Sequence, residues 1–315
     1  MPPLPPPAPG AGPPRRPALG YAMVLAAATL FAVNGVVSKV ILSSGLSALR
    51  LTEVRLTGAA LLLLAGLALT RRRLLELRRR EIPFFLLFGI GGLALVQLTY
   101  FLAIRRLEIG IALLLQYLAP LIVALWARFG ERNPVRRRIW IALALALGGL
   151  ALVVDLWRGT NLDGVGVVAA LAASLTYALY IVLAERGVGE RDPVSLSCYG
   201  FVFGAAFWAC IQPWWSFPGT RVAERVSLLG NLAGVEAPVW LLMACMVVLG
   251  TIVPFGLFVG ALRHLPATRV AIVAMVEPVV ATAVAFVWLD ERLTATQVLG
   301  GAVVLAGVAL AQTAR

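Results

Sequence analysis

The apolar residues of this chain fall into ten long runs rather than the short alternations of a soluble domain. Read as helices, these runs cover 20–42, 49–69, 82–104, 109–127, 139–156, 163–184, 193–213, 237–260, 266–289 and 295–312. Each approaches the ~20 helical residues that cross a hydrocarbon core of ~30 Å. A bilayer interior offers no water to free N–H and C=O groups, so continuous helices are expected. The fold class predicted is an all-α membrane protein of ten transmembrane helices.

The pattern also repeats. QLTYFLAIRRLEIGIALLLQYLAPLIVALWARFGER at 97–132 superposes on FGLFVGALRHLPATRVAIVAMVEPVVATAVAFVWLDER at 255–292, with Pro120 over Pro278, Leu107 over Leu265 and Ala103 over Ala261. Upstream, LAAATLFA at 25–32 lines up with LAASLTYA at 171–178, which brings Gly58 onto Gly204. The chain therefore reads as two five-helix units, 20–156 and 163–313. Five is odd, so the second unit is inverted across the membrane, a common plan of secondary transporters whose site lies between the halves. Before the first unit, MPPLPPPAPGAGPPRRPA at 1–18 is proline-rich, lacks the apolar stretch of a signal peptide and reads as a disordered tail.

Composition agrees with the pattern. Hydrophobic residues make up 61% of the chain and charged ones 13%, with a mean hydropathy of +0.92, whereas about a quarter of a soluble domain is charged. The net charge of +12 is an orientation signal. With the amino terminus inside, inner segments hold seventeen basic residues, including Arg71 to Arg73, Arg78 to Arg80 and Arg136 to Arg138. Outer segments hold eight, among them Lys39, Arg50, Arg158 and Arg221. Both termini are thus expected in the cytoplasm of a bacterial cell, with the chain in the inner membrane. Short basic loops against anionic headgroups leave no need for a nucleic-acid partner, and there is no soluble domain to form a groove for one.

Catalysis finds little to stand on. The single histidine, His264, lies beside Arg263 at a helix end, without paired carboxylates or a nucleophile elbow. Cys198, Cys210 and Cys245 sit inside expected spans without metal or redox spacing and read as packing residues. No catalytic residue, metal site or cofactor is predicted. The partners expected are the lipid bilayer and a small-molecule substrate.

The stretch GTIVPFGLFVGALRHLPATRVAIVAMVEPVVATAVAFVWLDERLTATQVLGGAVVLAGVAL at 250–310 resembles the second half of the EamA type of the drug/metabolite transporter superfamily. Its marks are a Glu-Pro helix, a Glu-Arg-hydrophobic turn and a Gly-rich last span. YLAP at 117–120 and GER at 130–132 repeat them in the first half, so the resemblance covers about 20–312. It implies a ten-helix basket that moves amino acids or related metabolites outward by alternating access. Small multidrug transporters of similar fold use a glutamate in their first helix, and residues 20–42 contain no acid. A drug exporter of the same superfamily is the nearest alternative, and a non-transporting scaffold the alternative of another class.

Ionisable groups at membrane depth are costly and mark candidate sites. Were Arg50, Glu53 and Arg55 all outside, only fifteen residues would remain from Leu56 to Thr70, so Arg55 must enter the membrane. Either it snorkels back to the headgroups or it holds a substrate carboxylate. Arg50 and Glu53, three apart, can pair on one helix face. Glu277 lies roughly 10 Å below the inner boundary and is the candidate for coupling transport to protons, with a structural hydrogen bond as the alternative. Pro278 deprives the Ala274 carbonyl of its helical donor, and Pro120 does the same to Gln116, so both helices should kink and wall a cavity. Asn34, Gln97, Tyr100, Gln116, Tyr117, Tyr177 and Tyr180 complete the candidate lining, each with a packing role as the alternative. Ala144 with Gly148 and Ala302 with Ala306 are small residues at helical spacing, suited to close packing within the monomer or in a homodimer.

Overall fold

The computed structural model describes residues 16–107, 109–154, 163–290, 292 and 294–313. Most of the proline-rich tail, Arg158, Glu291 and Arg315 lie outside the described residues. Ten helices follow in chain order: α1 Pro17–Leu42, α2 Ala48–Thr70, α3 Arg79–Ile104, α4 Ile111–Gly130, α5 Arg137–Val153, α6 Gly164–Glu190, α7 Pro193–Ile211, α8 Val239–Ala261, α9 Ala267–Leu289 and α10 Ala295–Thr313. Among the described residues, all of these but α5 are long and apolar enough to cross a membrane, which makes nine. Helix α5 has 17 residues, at the short end of the range that spans. The molecule is an all-α membrane protein.

Local chemistry sets the ends of several helices. Ser47 caps α2 by accepting from Arg50 N at 3.2 Å, Asp163 caps α6 from Gly166 N at 2.8 Å, and Asp192 caps α7 from Val194 N at 2.9 Å. Pro17 and Pro193 occupy first turns, where a missing N–H costs nothing. Helices α4 and α9 break where their prolines demand it. The first runs Ile109–Gln116 and resumes at Ala119–Leu125; the second runs Ala267–Ala274 and resumes at Glu277–Leu289. Tight bonds fill the gaps, Leu118 N to Leu115 O at 3.2 Å and Met275 N to Ile272 O at 3.1 Å.

Packing between helices has a two-fold pattern. Helix α1 packs on α8 and α9, and α6 packs on α3 and α4; α3 meets α7 as α8 meets α2. Each of these pairs becomes another when every helix is advanced by five, while the pairs α2–α7 and α5–α10 map onto themselves. Close approaches obey the same exchange. A Cβ on Gly20 would strike Leu265 and His264, and one on the aligned Gly166 would strike Leu107 and Arg106.

Ala144, Gly148, Ala302 and Ala306 all face outward. These small residues do not pack within the monomer, one of the two readings that their spacing allows. The α5–α10 seam lies on neighbouring positions, with Gly149 packed against the Gly300 carbonyl and Gly307 against the Ala142 carbonyl. A shift of one residue turns a helix face by about 100°, which is why the stripe picked out by the four-residue spacing lies beside the seam within the monomer. Cys198 is buried, but Cys210 and Cys245 are exposed on the outer surface of the bundle rather than packed within it.

Between α7 and α8 the chain forms a small ordered cap. It contains β1 Arg225–Ser227 and β2 Glu236–Pro238, paired antiparallel with Arg225 opposite Pro238. Arg50 reaches this cap from α2. It pairs with Glu53 at 2.7 Å, as its spacing predicted, and also donates to Pro213 O at 3.1 Å and Ser216 Oγ at 2.5 Å. Trp288 Nε1 donates to Leu228 O at 2.9 Å, tying the cap to the end of α9. At the opposite, arginine-rich face, Arg191 plays the corresponding part. It holds Glu81 at 2.7 Å and the Leu74 carbonyl of the α2–α3 loop at 3.3 Å, and lies over the Phe85 and Tyr199 rings.

Candidate functional site

A cavity of about 360 Å³ opens between the halves, walled by α1, α2, α3, α4, α6, α8 and α9. All the candidate lining residues, together with Arg55 and Glu277, line it: Asn34, Arg55, Gln97, Tyr100, Gln116, Tyr117, Tyr177, Tyr180 and Glu277. Pro120 and Pro278 do not line it. They stand at the helix breaks that carry Gln116, Tyr117 and Glu277 to its edge.

Arg55 turns inward. Its Nε donates to Thr251 Oγ of α8 at 3.2 Å, and the residue lines the cavity. Thr251 donates in turn to Met246 O at 3.0 Å. That five-residue reach belongs to a π-helical segment, Val248–Ile252, just ahead of Pro254. A proline inside a helix removes a donor and crowds the carbonyl four residues back, and a wider turn relieves both. Helix α3 has a π-helical segment at the matching place, Leu87–Ala94, where Gly89, Gly91 and Gly92 allow close approach. Gly92 presses on Tyr180, and Gly250 in α8 presses on Asn34, residues that are equivalent in the repeat.

Glu277 begins the second part of α9 at the cavity wall. Arg55, Tyr100, Tyr117 and Tyr177 all lie within electrostatic range of its carboxyl group. No ion pair within 4 Å joins Arg55 to Glu277 among the described residues, so the cavity holds one positive and one negative side chain that are not closed on each other. Asn34 Oδ1 and the Tyr180 hydroxyl are buried, with 6% and 3% of their residues exposed, and have no hydrogen-bond partner among the described residues. Unmet polar groups beside an opposed pair of charges suit a small solute that carries both signs and hydrogen-bonding atoms.

Sequence reasoning missed part of the wall. Phe255, Phe258, Ser38 and Ala281 also line the cavity, and Thr251 seats Arg55. The repeat carried a usable signal for two of them, because Phe255 aligns with Gln97 and Phe258 with Tyr100.

A larger recess of about 1060 Å³ opens at the arginine-rich face, lined by Glu131, Arg136, Glu185, Asp192, Arg263 and other residues of both halves. Ion pairs cross it or border it: Arg186 to Glu131 at 3.1 Å and Arg263 to Asp192 at 3.6 Å. Glu185 is committed to the start of α9, where it accepts from Ala267 N at 2.7 Å.

Comparison with known proteins bears on this arrangement. The sequence model of the EamA-like transporter family matches twice, at residues 18–155 and 164–313. The chain is 30% identical over 214 residues to an uncharacterized transporter of Archaeoglobus fulgidus, covering 68% of this chain and 70% of the relative. It is 27% identical over 274 residues to the threonine/homoserine exporter RhtA of Escherichia coli K12, covering 84% and 82%. A probable amino-acid metabolite efflux pump of the same organism is 28% identical over 237 residues, covering 73% and 77%. One crystal structure matches with a TM-score of 0.76 over 94% of this chain and 97% of the other, at 17% identity, a likeness of fold alone.

Proposed function

The chain belongs to the EamA-like transporter family, and from that premise we propose that it is a secondary active exporter of amino acids or related small zwitterionic metabolites. It is a transporter and not an enzyme. The observation that carries the substrate reading is the pairing of Arg55 and Glu277 across one cavity without a direct ion pair. A guanidinium binds a carboxylate through two parallel hydrogen bonds, and a carboxylate takes an ammonium group. A zwitterion satisfies both at once. A cationic drug would satisfy Glu277 alone and leave Arg55 facing a like charge, which favours the metabolite reading over the drug reading. The names of the relatives, exporters of threonine, homoserine and amino-acid metabolites, support the same class.

Glu277 is also the residue proposed to couple transport to protons. Among the described residues it is the only acid of the cavity lining. Alternating access would proceed by rearrangement of the two five-helix units, with α5 as the tenth span, both termini in the cytoplasm and the arginine-rich face inward. The test is counterflow in proteoliposomes preloaded with unlabelled neutral amino acids. Accumulation of labelled zwitterion that needs intact Arg55 is the expected result, and its absence across the common neutral amino acids would refute the reading.

A further inference from the structure

The two walls of the cavity come from different halves, and they differ in chemistry where the repeat would make them alike. Gln97 of the first half corresponds to Phe255 of the second, Tyr100 to Phe258, Gln116 to Ala274 and Arg55 to Phe201. The first half therefore presents a guanidinium, amides and phenols. Glu277, carried by the second half, lines the same cavity within electrostatic range of Arg55, Tyr100 and Tyr117 of this polar side and of Tyr177 at its border with the other.

The other side, built from the second half together with Phe31 of α1, presents rings that are locked together. Phe255 meets Phe31 edge-on at 5.0 Å and 82°, Tyr180 at 5.9 Å and 77°, and the buried Phe201 at 5.3 Å and 79°. Tyr180 continues the cluster to Phe258 at 6.0 Å and to Tyr177 at 6.4 Å. Phe31, Tyr177, Tyr180, Phe255 and Phe258 all contribute to the cavity lining. Interlocked rings make a stiff apolar surface, and apolar surface facing a wet cavity is stabilised when another apolar group covers it.

We propose that the preferred substrate is an amino acid with a bulky apolar or aromatic side chain, held with its charged head on the polar wall and its side chain against the ring cluster of α1, α6 and α8. This rests on the zwitterion reading above and adds the side chain to it. A small side chain such as that of threonine leaves the faces of the rings uncovered and so forgoes the apolar burial that a larger side chain gains, even where its hydroxyl meets that of Tyr180. One further edge-to-face ring contact together with the added buried area corresponds to a preference of about tenfold.

Four probes separate the two claims: L-phenylalanine, L-threonine, phenethylamine without the carboxylate, and 3-phenylpropionate without the amine. Each is titrated against the purified full-length protein in lipid nanodiscs, with binding followed by displacement of a labelled amino acid and by thermal stabilisation. Phenylalanine should bind about tenfold more tightly than threonine, and each singly charged analogue should lose about tenfold or more relative to phenylalanine. Phe31→Leu should weaken phenylalanine binding more than threonine binding and so shrink the phenylalanine-to-threonine ratio several-fold. The wild-type ratio decides the matter alone if that variant does not fold. Equal or tighter binding of threonine, with both singly charged analogues still failing, overturns the side-chain assignment and leaves the zwitterion reading standing. Binding of either singly charged analogue as tight as that of phenylalanine, or of none of the four probes, overturns both.

Discussion

Arg55 is seated on Thr251, the side chain of one half resting on a π-helical turn of the other at 3.2 Å. The guanidinium uses Nε for this bond, and no other hydrogen bond from this cavity-lining residue is found among the described residues. Arg55→Lys keeps the charge and loses both the seat and the planar fork. Transport should fall by more than about tenfold, given ~1.5–3 kcal/mol for a hydrogen bond to a charged group, with membrane expression unchanged. Thr251→Val should cost less, about two- to tenfold in apparent affinity. Unaltered kinetics in both variants would return Arg55 to a headgroup-facing role.

Glu277→Gln removes the only acid that the cavity lining has among the described residues and keeps its shape. Uphill efflux driven by a pH gradient should disappear while exchange at equal pH survives. If a cycle moves one net charge, the membrane potential supplies ~2.3 kcal/mol per 100 mV, which supports a roughly fifty-fold gradient in the native protein. A glutamine variant that still concentrates substrate with the native pH profile would show that the proton binds elsewhere.

Topology can be read by labelling. Thr220 and Ala233 are exposed in the cap between α7 and α8, and Glu76 and Pro134 are exposed at the arginine-rich face. Cysteines at the first two positions should react with an impermeant maleimide on intact cells, and those at the last two only after the membrane is opened. Reaction of the Glu76 position from outside would invert the assigned orientation.

Two adjacent glycines make a controlled pair. A Cβ on Gly149 meets the Gly300 carbonyl and Val304 across the α5–α10 seam, whereas one on Gly148 meets nothing within 4 Å. Gly149→Val should lower the melting temperature of the solubilised protein by several degrees, in line with ~1–3 kcal/mol for forced overpacking. Gly148→Val should leave it within about a degree, because no packed neighbour is displaced. Equal shifts in the two variants would mean that the seam does not form as described.

The polar half of the site was legible because a charge or amide inside an apolar run stands out against it. Arg55 and Glu277 were marked by depth alone, and Gln97 and Tyr100 by sharing a helix face. Phe255 and Phe258 were not marked, since a phenylalanine in an apolar span looks the same whether it faces lipid, a neighbouring helix or a cavity. The long spans were found for a related reason: length is written into the run itself. The three-residue strands of the cap were not, because pairing that short depends on what packs around it. The α5–α10 seam was missed by one residue, since several small-residue stripes coexist on a helix rich in Ala and Gly and only the partner selects among them.

Under the proposed alternating access, the exchange of packing partners under a shift of five helices would supply the second conformation from the chain's own connectivity. Giving α1–α5 the backbone arrangement now held by α6–α10, and the reverse, swaps α1–α8 with α3–α6 and α1–α9 with α4–α6. The pairs α2–α7 and α5–α10 return to themselves. Any rearrangement that obeys this exchange must keep those two pairs as partners while the other contacts trade places, so they are the fixed points about which the cavity would change the side on which it is open.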